Sequence, residues 1–147
     1  MSLMNVFDIA GSGMSAQSVR LNTTSSNIAN AESVTSNTDE TYRARHPVFA
    51  AQLQSAMNKS PFDFSATELN AGSGVEVMGI VESDAPLQLR YEPNHPQADE
   101  QGYVSYPNVN IVEEMANMIS ASRSFQNNVD VMNSAKQMMQ HALSLGR

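Results

Sequence analysis

The 147 residues include no cysteine. Disulfides, thiolate metal sites and cysteine nucleophiles are excluded together, so stability has to come from packing or from partners. Tryptophan is absent too, only 6% of the chain is aromatic, and 41% is apolar. That is one domain's worth of chain with a modest core. No apolar run approaches the roughly 20 residues a membrane-spanning helix needs, and the opening MSLMNVFDIAGSGM has no basic segment followed by a long apolar stretch. Neither membrane insertion nor a cleaved signal peptide is expected. Basic residues are also scarce: 8 Lys and Arg against 15 Asp and Glu give a net charge of -7. Without a basic stripe to displace counterions, nucleic acid is not an expected partner.

The acidity is regional. Residues 1–31 carry only Asp8 and Arg20, and in 106–147 Glu113, Glu114 and Asp130 are balanced by Arg123, Lys136 and Arg147. The whole excess, 11 acids against 4 bases, lies in 32–105.

Both neutral ends have helical periodicity. Leu3, Phe7, Ala10, Met14, Gln17, Leu21, Thr24, Ile28 and Ala31 alternate spacings of 4 and 3, as do Ile111, Met115, Met118, Ser122, Phe125, Val129, Met132, Lys136, Met139 and Leu143. Each set predicts a long helix with a narrow apolar stripe. Pro107 and Asn108 suit the approach to the second helix, Asn108 or Asn110 its N-cap, and Gly146 its stop. Off the stripe, this helix has few charges and many amides and hydroxyls, among them Asn117, Ser120, Gln126, Asn127 and Asn133. Neutral polar groups suit surfaces that touch other protein on several sides, because they form hydrogen bonds without the desolvation penalty of a charge. Self-assembly is the expectation, against the alternative of a solvated neutral hairpin of helices.

The middle differs. ESVTSNTDET at 32–41 predicts an extended loop, and YRARHPVF at 42–49 a weak edge strand limited by Pro47. A short helix is expected over 50–57 and a flexible stretch over 58–73. VEVMGIV at 75–81 and LQLRY at 87–91 alternate as strands, and the intervening ESDAP predicts that they pair as a hairpin. The acidic, turn-rich 94–102 then leads into a last extended segment at 103–106. The predicted fold class is mainly α with a small β-rich insert: a helix over 1–31, an acidic loop and β-hairpin insert over 32–105, and a helix over 106–147, the two helices pairing as a coiled coil.

Candidate chemistry is thin. Gly11, Gly13 and Ala16 match G-x-G-x-x-G/A, with Glu32 near the ribose-binding distance. A dinucleotide fold needs strand-helix-strand repeats, whereas here the helical stripe runs through the glycines. His46, His95 and His141 have no metal-ligand spacing, and the acids around His95 (Glu92, Asp99, Glu100) lack the regular pattern of a calcium loop. No G-x-S-x-G elbow occurs. The ten methionines suit adaptable packing at helix interfaces. No catalytic, metal or cofactor-binding residue is predicted.

Residues 11–31, GSGMSAQSVRLNTTSSNIANA, resemble the N-terminal motif of the flagellar axial proteins, the rod, hook and junction subunits, in which a helix ends at S-S-N-I-A-N or N-N-I-A-N. Residues 106–147 resemble the matching C-terminal motif, with N-V-N-x-V-E-E-M at 108–115, Arg123, the stretch 125–128 and the closing Leu145 and Gly146. YRARHPVF and YEPNHPQADEQGYVSYPNVN are similar to rod subunits in particular, so the resemblance covers nearly the whole chain. It implies terminal helices paired in the inner coiled-coil domain of a helical tube, and a structural subunit of the basal-body rod that transmits motor torque across the periplasm for motility. The implied partners are other rod proteins, copies of the chain itself, the flagellar type III export apparatus that passes it out of the cytoplasm uncleaved, and motor-side ring or adaptor proteins. Carried over residue by residue, the resemblance makes Leu21, Asn27, Ile28, Asn30, Val112, Glu113, Met115, Phe125 and Val129 assembly residues. The alternative is a non-polymerising adaptor or export-associated binding protein that engages one partner with the same helices.

Overall fold

The computed structural model describes residues 3–52 and 74–145. Its elements in chain order are α1 (Leu3–Asn30), β1 (Arg45–Ala51), β2 (Val75–Glu82), β3 (Gln88–Tyr91), β4 (Tyr103–Tyr106) and α2 (Ile111–Leu145). The two terminal helices are in contact, as expected, and small two-stranded sheets lie between them in the sequence. At about 1.5 Å per residue, α1 is roughly 42 Å long and α2 roughly 52 Å.

Both helices are bounded by asparagines. Asn110 caps α2: its Oδ1 accepts the Val112 amide at 3.1 Å and its carbonyl accepts the Glu114 amide at 3.0 Å. Glu113 and Glu114 then sit in the first turn, where the helix dipole favours acids. At the end of α1, side-chain and backbone donors gather on the last carbonyls. Asn30 Nδ2 donates to Ser26 O (2.8 Å), Ala31 N to Ile28 O (3.3 Å), and the Ser33 amide and hydroxyl both donate to Asn30 O.

The strands pair differently from the sequence expectation. β2 does not form a hairpin with β3; it pairs with β1, while β3 pairs with β4. Flanking bonds from Ser83 N to Ala44 O (2.8 Å) and from Gln52 N to Gly74 O (3.0 Å) give the first pair an antiparallel sense. ESDAP is therefore a crossover between two sheets rather than a hairpin turn. Ala50 and Ala51, expected to begin a short helix, are the last residues of β1, and 53–57 and 58–73 lie outside the described residues.

The second sheet is antiparallel, with Gln88 opposite Tyr106, Leu89 opposite Ser105, Arg90 opposite Val104 and Tyr91 opposite Tyr103. Its connection is a chain of tight turns closed at Gly102, whose φ of 83° is open to glycine at little cost. An added Cβ there would lie 2.9 Å from the Tyr91 ring and 3.2 Å from Pro93. Tyr91 and Tyr103 pack edge to face at 5.4 Å, and the Arg90 guanidinium sits 4.5 Å from the Tyr106 ring centre.

The chain divides into two compact units. One takes residues 1–18, 49–78 and 122–147. Its described covered positions are small: Ala10, Ala16 and Ala135 are buried, and Gly13 approaches the side chain of Asn128 so closely that a Cβ would stand 2.8 Å from Nδ2. The other takes 19–48 and 79–121, and its core joins Ala31, Ala44 and Val109 with Tyr42 packed against them. Among the described residues, Val104, Asn27 and Pro107 are the largest fully buried side chains.

Candidate assembly surface

The stripe expected on α1 turns inward. Of its described positions, Ala10, Thr24 and Ala31 are buried and Phe7, Met14, Gln17, Leu21 and Ile28 half-buried, with Asp8, Ser15, Ser18, Asn22 and Ser25 on the exposed side. On α2 the stripe behaves differently. Ile111, Met115, Ser122, Phe125, Lys136 and Leu143 are exposed, and only Met118, Val129, Met132 and Met139 are half-buried. The covered face is rotated by about one residue and is lined by Glu114, Ala121 and Ala135, with Asn128 half-buried on the same seven-residue repeat. Small side chains let helices approach closely, which is how α2 packs through alanine while several of its larger apolar residues stay outside.

Two exposed apolar tracks result. Near the start of α2, Val112 (77% exposed), Met115 (53%) and Ile119 (55%) follow one another at spacings of 3 and 4. Toward its end, Val131, Met138 and Leu145 recur every seven residues, all exposed. Exposed apolar side chains that follow one another along a helix make this face the candidate contact surface. The neighbouring charges are few, so another protein can cover the helix with little charge desolvation.

The nine residues taken from the family resemblance separate by position. Val112 and Met115 lie on the first exposed track, Glu113 is exposed beside it, Phe125 is marginally exposed, and Val129 is half-buried one turn later. Leu21 and Ile28 lie seven residues apart on α1, half-buried. Asn30 caps the helix. Asn27 is fully buried and its carboxamide is occupied within the chain: Oδ1 accepts Tyr42 OH at 2.8 Å and Arg45 N at 2.9 Å, and Nδ2 donates to Arg45 O at 2.8 Å. Asn108, considered from sequence only as a cap, has a similar role. Its Oδ1 accepts Ala44 N (2.8 Å) and its Nδ2 donates to Ser83 O (3.3 Å) and Ala85 O (2.9 Å).

The decoys of the sequence take ordinary places. Gly11, Gly13 and Ala16 are interior to α1, which begins at Leu3, eight residues before Gly11. Around His95 the polar groups serve turns: Asp99 Oδ1 accepts Gln101 N and Tyr103 N, and His95 Nδ1 accepts Gln97 N. Among the described residues no three His, Cys, Asp or Glu gather as metal ligands, and no helix is long and apolar enough to cross a membrane.

Residues 7–36 match the family described as "Flagella basal body rod protein", and residues 100–145 match "Flagellar basal body rod FlgEFG protein C-terminal". The flagellar basal-body rod protein FlgC of Salmonella typhimurium is 48% identical over 147 residues, all of both chains, as is that of Escherichia coli O6:H1. That of Borreliella burgdorferi is 38% identical over 149 residues, covering 99% of this chain and 98% of its own. The chain belongs to the FlgC family of flagellar basal-body rod proteins. It is a structural subunit of the rod, not an enzyme, and it assembles with other rod proteins. In this FlgC-family subunit the two matched regions carry nearly all of α1 and the whole of α2, with Asn30, Asn110, the buried Asn27 and the half-buried Asn108.

Proposed function

We propose that this chain polymerises through the exposed tracks of α2, with copies of itself and with other rod proteins, into a helical drive shaft that carries motor torque across the periplasm. The observation that carries the reading is the run Val112, Met115 and Ile119, three large apolar side chains more than half exposed on a helix with few charges. Contacts that repeat with a rotation that does not close generate an open helical filament, and two tracks on one helix allow more than one neighbour. Leu21, Ile28, Phe125 and Val129, all partly accessible, would extend the contact.

The same economy of burial suits passage through the flagellar type III export apparatus without a cleaved signal. Among the described residues most of the buried apolar ones are alanines, and a core built on such small side chains would unfold at low cost for threading. Motor-side ring or adaptor proteins would meet the subunit at the end of the rod nearest the motor, with the acidic 32–105 insert available to basic neighbours.

Met115→Asp tests the reading. The substitution sits at an exposed position, so the chain should be expressed and helical. Placing a carboxylate in a subunit contact should remove about 1.5–3 kcal/mol of apolar burial and add a desolvation penalty of several kcal/mol. Cells should be non-motile, with the variant missing from isolated basal bodies. Normal swimming with Met115→Asp in the rod would exclude this track as a contact. A subunit that sediments as a monomer at every concentration and is absent from wild-type basal bodies would mark a non-polymerising adaptor.

A further inference from the structure

Two asparagines from opposite ends of the chain close on consecutive residues of the insert. Asn27 takes both the amide and the carbonyl of Arg45, pairing this residue as a neighbouring strand would, and it also holds the Tyr42 hydroxyl. Asn108 takes the Ala44 amide and, through Nδ2, the two carbonyls of Ser83 and Ala85 where the chain leaves β2. Neither carboxamide is left to face another subunit. Each makes three bonds, Asn27 in a fully buried position where an unmet donor or acceptor would be penalised in full.

We infer that Asn27 and Asn108 are positioning residues that act together as a latch on residues 42–45, docking the insert only when α1 and the segment leading into α2 are both in place. The reasoning is cooperative. Residues 44 and 45 share one stretch of backbone, so releasing Arg45 from Asn27 lets Ala44 swing away from Asn108, and the reverse. Since Asn108 also ties down Ser83 and Ala85, it fixes the start of β1 and the exit of β2 in the same act. The two flagellar signatures would then contribute, at these positions, to the internal geometry of the subunit rather than to the contact between subunits. This latch stands apart from the rod reading, since every bond in it is made within one chain.

Trypsin provides the test, because Arg43 and Arg45 are cleavage sites inside the latched segment while Arg20 and Arg123 lie on the helices. Limited digestion would be followed by mass spectrometry on the purified full-length chain and on isolated basal bodies, so that a folded form is read even if the free subunit is loosely ordered. Asn27→Ala and Asn108→Ala should each raise cleavage after both Arg43 and Arg45 by about tenfold or more, as local opening becomes easier. Cleavage after Arg20 and Arg123 should stay as in the unmodified chain, and the double variant should be cut no faster than the more sensitive single one. Asn22→Ala, an exposed asparagine on α1, should change nothing. Protection that survives either substitution overturns the inference. So does a rise shared equally by all four arginines, which would mean general destabilisation, and so does a double variant whose effect is the product of the singles.

Discussion

Gly11 and Gly13 look equivalent in the sequence, and alanine substitutions should separate them. In a helix interior alanine is favoured over glycine by about 1 kcal/mol. At Gly11 an added Cβ meets nothing within 4 Å, so Gly11→Ala should stabilise the chain by about that amount. At Gly13 the new atom would stand 2.8 Å from Asn128 Nδ2, 3.3 Å from its Cγ and 3.4 Å from its Oδ1. The Asn128 side chain has to turn aside, and holding a side chain off its preferred rotamer costs about 0.5–1.5 kcal/mol. The two effects nearly cancel, and Gly13→Ala should unfold within about 0.5 kcal/mol of the unmodified chain. Gly13→Leu cannot be absorbed by one rotation and should lose about 1–3 kcal/mol. Urea unfolding followed by far-ultraviolet circular dichroism would rank the variants. Adding Asn128→Ala to Gly13→Ala should release the suppressed gain, giving a coupling that is absent when it is added to Gly11→Ala. Equal stabilisation by Gly11→Ala and Gly13→Ala would refute the close approach of the helices at this level.

Two further substitutions probe other parts of the fold. Asn110→Ala removes the acceptor for the Val112 amide and should cost about 1 kcal/mol, with faster amide exchange confined to the first turn of α2; unchanged exchange there would deny the cap. Gly102→Ala forces a side chain into a left-handed backbone and against Tyr91 and Pro93, so a loss of about 1–2 kcal/mol is expected, read as weaker dispersion of the Tyr91 and Tyr103 resonances; a spectrum unchanged in that hairpin would count against the turn.

How much of this was legible depends on the range of the interaction that decides each feature. The helices were readable because their periodicity is local, and the predicted α1 stripe is buried or half-buried at every position from Phe7 to Ala31. On α2 the same reasoning selected the larger apolar residues, yet Ala121 and Ala135 are the covered ones, since a helix with two kinds of neighbour has two faces and hydrophobicity alone does not say which is internal. The β2 partner was misread because ESDAP is an adequate local turn and the actual partner, β1, lies across 23 intervening residues (52–74). Strands exposed on both faces carry little patterning to fix their pairing. Asn108 was visible only as a cap, because nothing in N-V-N announces that its carboxamide reaches Ala44, 64 residues away.

The alanines of α2 have a thermal consequence. Ala121 and Ala135 have no side-chain rotamers to lose, so covering them within the chain leaves side-chain entropy untouched. Met115 and Met138, exposed in the lone subunit and unlike Val112 and Ile119 not β-branched, keep rotamers that a neighbour in the proposed contact would fix. A methionine gives up about 1.5–2 kcal/mol of rotamer freedom when it is fixed. If the proposed contact forms, this ordering is deferred from folding to elongation, and the temperature dependence of filament growth should carry the signature of methionine side chains freezing as each new subunit arrives.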